Sequence, residues 1–180
     1  MNPNDEIKEF LFDYIKKSET RFSEMLSKKQ YHDIIADLLE NCRSMVNSAE
    51  NTAESTGILA TGILHYILTQ AQIPSQRKAE INGIKLDIII PDAKTLLYNP
   101  QDALLICIPL STNQNEINQI LENYSTIQPI RQNIWTILEY DHDIQKTYTT
   151  HKNPTLPGII NDMIRFTNLH CKNKLKILGV

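Results

Sequence analysis

Glycine is scarce, 5 in 180 residues. No GxGxxG, Walker A or GxSxG pattern occurs, so loops that cradle phosphates or raise a nucleophile are poorly supplied. Cysteine is scarcer still. Cys42, Cys107 and Cys171 are odd in number, far apart and without a CxxC spacing, which argues against a disulfide framework or a zinc site and points to a reducing, intracellular compartment. Neither sign of charge dominates: 18 Lys+Arg stand against 21 Asp+Glu, for a net charge of -3 and a pI of about 5.9. A strongly basic nucleic-acid module would lie above roughly 9. The longest apolar segment, Gly57 to Leu68, contains Thr61 and His65 and is too short to cross a bilayer. The N-terminus, MNPNDEIKEF, is polar and acidic, unlike a signal peptide. A soluble, cytoplasmic protein without a membrane partner is expected.

What is present suffices for one packed core, since 41% of the chain is hydrophobic. Apolar residues at helical spacing predict a helix over Asp5 to Leu26 (Ile7, Phe10, Leu11, Tyr14, Ile15) and a second over Tyr31 to Val46. A third covers Glu54 to Gln72, with Gly57 and Gly62 inside it pointing to close packing on a sheet, and ends before Pro74. The period then changes. Arg77 to Ile81 and Ile84 to Ile90 read as strands joined by Asn82-Gly83, a strong hairpin signal. Pro91-Asp92 ends the second strand in a turn. The run ALLICI, Ala103 to Ile108, is a strand buried on both faces. A helix over Asn113 to Tyr124, a strand over Asn133 to Tyr140, an edge strand over Ile144 to Thr150, a helix over Leu156 to Cys171 and a weak strand over Leu175 to Val180 complete the chain. The fold class is α/β with a mixed sheet: antiparallel at the hairpin, parallel where a helix crosses over. Residues 1–50 form an N-terminal helical region and 51–180 the α/β core.

Residues from about Glu54 to Tyr140 resemble the restriction-endonuclease-like, or PD-(D/E)xK, nuclease core. The resemblance lies in the order of a helix (TGILATGILHYIL), a hairpin (KAEINGIKLDIII), a buried strand (ALLICIPLS), a helix (NEINQILENY) and another strand (NIWTIL). It implies an αβββαβ core and, in active members, Mg²⁺-dependent cutting of nucleic acids. Carried over by residue, Asp87 takes the place of the metal-binding aspartate on the second strand, and Glu54 that of the helix glutamate. Glu80 or Lys85 could face the same cleft, with strand alternation setting Lys85 and Asp87 on one face. The next strand should carry Asp/Glu-x-Lys, and here it reads Cys107-Ile108-Pro109. A thiol replaces the hard oxygen ligand that Mg²⁺ requires, and proline brings no charge. Pro91-Asp92 with Lys94 spells the motif literally but falls in a turn, and is read as coincidence.

Other candidates carry less. Asp141-His142-Asp143 ends a strand and reads as a solvated loop. His65 reads as a core histidine hydrogen-bonded locally, Cys107 as inert packing and Trp135 as core. His32, His151 and His170 form no HxH or HExxH pattern. From Ile144 onward six basic residues (Lys146, Lys152, Arg165, Lys172, Lys174, Lys176) face one acid, Asp162. Of these, Arg165, Lys172, Lys174 and Lys176 are the candidates for phosphate contact. Three readings follow. The first is a non-catalytic nuclease-fold protein, without cofactor, that binds DNA or RNA or scaffolds a processing complex. The second is a divergent nuclease using Asp87 as metal ligand with Glu54 or Glu80, requiring Mg²⁺. The third is an adaptor that docks a protein partner or a second copy through its N-terminal helices.

Overall fold

The computed structural model describes residues 3–47, 51–142 and 146–175. Helix α1 (Pro3–Lys17) is followed by α2 (Glu19–Ser27), α3 (Tyr31–Asn47) and α4 (Thr52–Gln70). The hairpin β1 (Gln76–Ile81) and β2 (Ile84–Ile90) leads into a short α5 (Ala93–Tyr98) and then β3 (Leu104–Cys107). After these come α6 (Gln114–Ile127), β4 (Ile134–Leu138), β5 (Thr147–Thr149) and α7 (Ile159–Leu175). The expected helix over Asp5 to Leu26 is two helices. Ser18, between them, leaves helical geometry at ψ 6°, and the bend lets Phe22 of α2 turn inward until it is wholly buried. Arg21 then reaches across to clamp Asp37 of α3 with two bonds, at 2.6 and 2.9 Å, while the Tyr14 hydroxyl donates to the same carboxylate at 2.8 Å.

The five strands lie in the order β1-β2-β3-β4-β5. The first two pairings are antiparallel and the last two parallel. Helix α6 makes the expected crossover from β3 to β4, whereas β4 and β5 run parallel with no helix between them among the described residues. Asn82 and Gly83 carry φ of 52° and 77°, the paired positive values that a two-residue hairpin turn requires. Side chains alternate across the sheet. Leu104, Ile106, Ile108, Trp135 and Ile137 pack into one layer with α1, α3, α4 and α7, whereas Leu105, Cys107 and Ile134 pack on the other face with Tyr124 and Ile127 of α6. The N-terminal helices thus share a core with the sheet. Gly62 of α4 makes its close approach to another helix rather than to the sheet, because a Cβ there would meet Leu11 Cδ2 of α1 at 2.6 Å.

Two elements differ from the sequence reading. The turn after Pro91 is helix α5, capped by Asp92, whose Oδ1 accepts the Thr95 N–H at 2.7 Å. The edge strand is shorter than expected, Thr147–Thr149, and α7 runs on to Leu175. The strand expected over Leu175 to Val180 otherwise lies outside the described residues.

Helices α2 and α4 end alike. Lys29 and Gln72 adopt φ of 56° and 55°. In each case the next residue's N–H bonds back across the last turn, Gln30 to Met25 O at 2.9 Å and Ile73 to Leu68 O at 3.0 Å, which is the Schellman closure. Glycine takes this left-handed position without strain, and each side-chain-bearing residue there costs roughly 1 kcal/mol. Among the described residues no helix is long and apolar enough to cross a membrane.

Candidate functional site

Regular alternation fails at one place in the sheet. On β2, Ile88 and Ile90 face the helical layer of α1, α3, α4 and α7, but Leu86 and Ile89 both face α6. The slip falls on Asp87. On β1 the rungs Arg77↔Ile88 and Ala79↔Leu86 are paired, and Lys78 between them takes φ 52° and drops out of the ladder. On the other side, the β2–β3 ladder runs from Ile90↔Leu104 to Ile88↔Ile106 and stops. Beyond it the Ile108 N–H, which a continuing ladder would pair with backbone, is taken at 2.7 Å by Asp87 Oδ2. The Tyr124 hydroxyl donates to the same oxygen at 2.9 Å and accepts the Asp87 N–H at 3.0 Å. The sheet forks at Asp87, and this side chain with Tyr124 fills the gap.

The electrostatics follow from that burial. Desolvation raises the Asp87 pKa, opposed by the hydrogen bonds from Ile108 and Tyr124, which favour the carboxylate. Burial, and Asp87 beside it, push the Cys107 thiol well up, so this cysteine is no thiolate nucleophile. Tyr124 is raised in the same way, by burial and then by its acidic neighbours.

Asp87 opens on a cleft of about 520 Å³ walled by α4, β1 and the segment after β3. Glu54, from the first turn of α4, lines the same cleft. The side chain of Asn51 caps that helix, accepting the Glu54 N–H at 3.2 Å. Lys8, Arg77 and Lys78 bring three cationic side chains to the walls, and Ile58, Ile108 and Leu110 supply apolar surface. Gly57 lets Leu110 settle against α4, since a Cβ there would run into Leu110 Cδ2. Of the residues singled out from sequence, Asp87 and Glu54 therefore come together. Glu80 does not join them: it is exposed and stands opposite Lys85 in the hairpin. Among the described residues no group of three or more His, Cys, Asp or Glu is placed to hold a metal ion.

The strand after Asp87 presents a different pair of residues to the cleft from those expected. Cys107 is fully buried on the α6 side. Pro109 lines a neighbouring pocket of only about 10 Å³. It is Ile108 and Leu110 that reach the cleft, and both are aliphatic.

His65 is a correction. It is exposed at the cleft rim rather than in the core, and its Nε2 lies 3.3 Å from Arg77 Nη2. Partial burial and then the Arg77 charge lower its pKa, which keeps it neutral and able to accept from the guanidinium. The 3.6-residue period of α4 carried no hint of this, because His65 borders the apolar stripe and only β1 decides what covers it.

Trp135 is core. It is buried against Tyr148 and Phe166, with ring centroids 5.6 and 6.2 Å away. The C-terminal basic stretch is partly neutralised. Lys146 and Arg165 both face Asp162, at 3.2 and 3.5 Å, and these cations and the Tyr148 hydroxyl hold the Asp162 pKa down against desolvation. The side chains of Lys172, Lys174 and Lys176 lie outside the described residues, as does Asp143. No family model, curated protein or solved structure matches this chain.

Proposed function

We propose that this chain is a restriction-endonuclease-like protein whose nuclease centre is degenerate, and that it binds nucleic acid through the Asp87 cleft as a non-catalytic member of a DNA- or RNA-processing assembly. The order α4-β1-β2-β3-α6-β4, with antiparallel pairing of β1, β2 and β3 and parallel pairing of β3 with β4, supports the αβββαβ core. The observation that carries the functional reading is the composition of the cleft. Ile108 and Leu110 stand where metal-assisted hydrolysis needs a second hard ligand and a cation, while Arg77 and Lys78 remain to meet phosphates, with Lys8 beside them paired to Asp5 at 3.2 Å. Gel-shift titrations with branched, duplex and single-stranded nucleic acids test it. A complex at low salt, with no cleavage in Mg²⁺ or Mn²⁺, is the expected result. The absence of any shift at low salt overturns it.

One observation favours a second reading. Glu54 shares the cleft with Asp87, and both hydrogen bonds to that carboxylate fall on Oδ2 alone. A divergent nuclease would use these two carboxylates with Mg²⁺. Metal-dependent cleavage lost in Asp87→Ala would establish that reading, and cleavage undiminished in the variant would remove it.

A further inference from the structure

A larger cavity, about 630 Å³, lies at the far end of β3 and α4 from the cleft, where the last turns of α2 and α4 meet β2's end and α7. We propose that it is a binding site for the base of a nucleoside, a flat and uncharged heterocycle bearing amide-like hydrogen-bonding edges. This site is separate from the cleft and stands whether or not the cleft binds nucleic acid.

Three observations carry it. First, His170 is held on two sides. Its Nδ1 lies 3.3 Å from Asp102 Oδ1, and its ring packs against Phe166 with centroids 4.3 Å apart and planes tilted by 32°. A carboxylate partner on one imidazole nitrogen fixes the ring and its tautomer and leaves Nε2 as the nitrogen for a ligand. Second, the polar lining is rich in amides. Gln70, Gln72 and Asn168 line the solvent-exposed rim of the cavity, and none of their side chains bonds to another described residue. Such amides donate and accept side by side, the pattern that matches a base edge. One lysine, Lys29, and one carboxylate, Asp102, balance in charge, so the cavity favours neither a strong anion nor a strong cation. Ile73, Ile90 and Ile164 supply apolar wall for the faces of a ring.

Third, the two residues in left-handed conformation at helix ends, Lys29 and Gln72, both line this cavity. Helix closure there would be easier with glycine. Strain retained at two positions bordering one cavity points to a use for the side chains.

That strain supplies a test that misfolding cannot confuse. Gln72→Gly removes the amide and relaxes the backbone together. Isothermal titration of the full chain with adenosine, guanosine, cytidine and uridine should show saturable binding of at least one of them at millimolar concentration or below. Gln72→Gly should melt at a higher temperature than the parent yet bind that nucleoside at least about tenfold more weakly, and His170→Ala should weaken it likewise. Binding by none of the four overturns the proposal, as does unaltered affinity in both variants. Displacement of the nucleoside by equimolar inorganic phosphate assigns the cavity to an anion and overturns it too.

Discussion

Tyr124 and Asp87 are joined twice: the phenol donates to the carboxylate at 2.9 Å and accepts the aspartate's own backbone N–H at 3.0 Å. A residue of α6 thereby completes the hydrogen bonding of a strand that has lost its neighbour. Removing the hydroxyl orphans the partly buried Asp87 N–H and leaves Oδ2 with the Ile108 N–H as its remaining partner. Tyr124→Phe should cost about 1–3 kcal/mol for a group left unsatisfied, read as a lower urea midpoint with an unchanged slope.

Asp87 also makes stability depend on pH. Its folded pKa lies above the ordinary 3.8, so the native state holds the proton more tightly than the unfolded chain. The stabilisation is therefore fully present below 3.8 and is lost as pH rises through the folded value. Asp87→Asn keeps an oxygen acceptor for Ile108 and Tyr124 without the charge. Denaturation midpoints of this variant should exceed the parent's at neutral pH and converge with them in acid. A parent more stable than Asp87→Asn at neutral pH would contradict this account.

The two glycines of α4 should respond oppositely to alanine. At Gly57 the obstructing atom belongs to Leu110, which is 51% exposed and can swing outward. Helix propensity then gains about 1 kcal/mol, and Gly57→Ala should be neutral or stabilising. At Gly62 the obstruction is Leu11, only 5% exposed and locked between α1 and α4. Overpacking there should cost about 1–3 kcal/mol. Thermal melts of the two single variants decide it.

Placing the acidic residue that the nuclease resemblance calls for at Cys107 should fail. Cys107 is fully buried beside Asp87 and Tyr124. Cys107→Asp sets an unpaired carboxyl next to another one, and should destabilise the fold by about 3–5 kcal/mol while conferring no Mg²⁺-dependent cleavage. Chemical denaturation and a nuclease assay on the same preparation check both halves.

If the cleft carries nucleic acid, its cations set the salt dependence. Lys78→Ala and Arg77→Ala should each flatten the slope of log affinity against log salt by about 1. Arg165→Ala, whose guanidinium faces Asp162 on α7, should leave the slope unchanged. Fluorescence anisotropy at several ionic strengths measures all three.

Much of the fold was legible because its signals are local. Asn82-Gly83 announces the hairpin, the apolar run before Pro109 the buried strand, and the spacing of Ile34, Ile35, Leu38 and Leu39 the helix α3. The break at Ser18 was not, since neither proline nor glycine marks it and only the burial of Phe22 requires it. Helix α5 hid in six residues behind a proline. In the site, Asp87 and Glu54 could be named through the resemblance that the order of elements carries, yet the fork between β2 and β3 depends on Tyr124, 37 residues further on. Which residues face the cleft depends on that fork, so the sequence points to Cys107 and Pro109 where the fold presents Ile108 and Leu110. The larger cavity leaves no signal in the sequence, because glycine is the usual mark of a left-handed helix end and here Lys29 and Gln72 take its place.

The guarded margins of the sheet have a consequence for assembly. One outer strand, β1, carries Arg77, Lys78 and Glu80 and is kinked out of regular pairing at Lys78. The other, β5, is three residues long. Charged, twisted or very short borders make poor templates for a visiting strand. Neighbouring molecules would find little purchase for continuing this sheet across two chains.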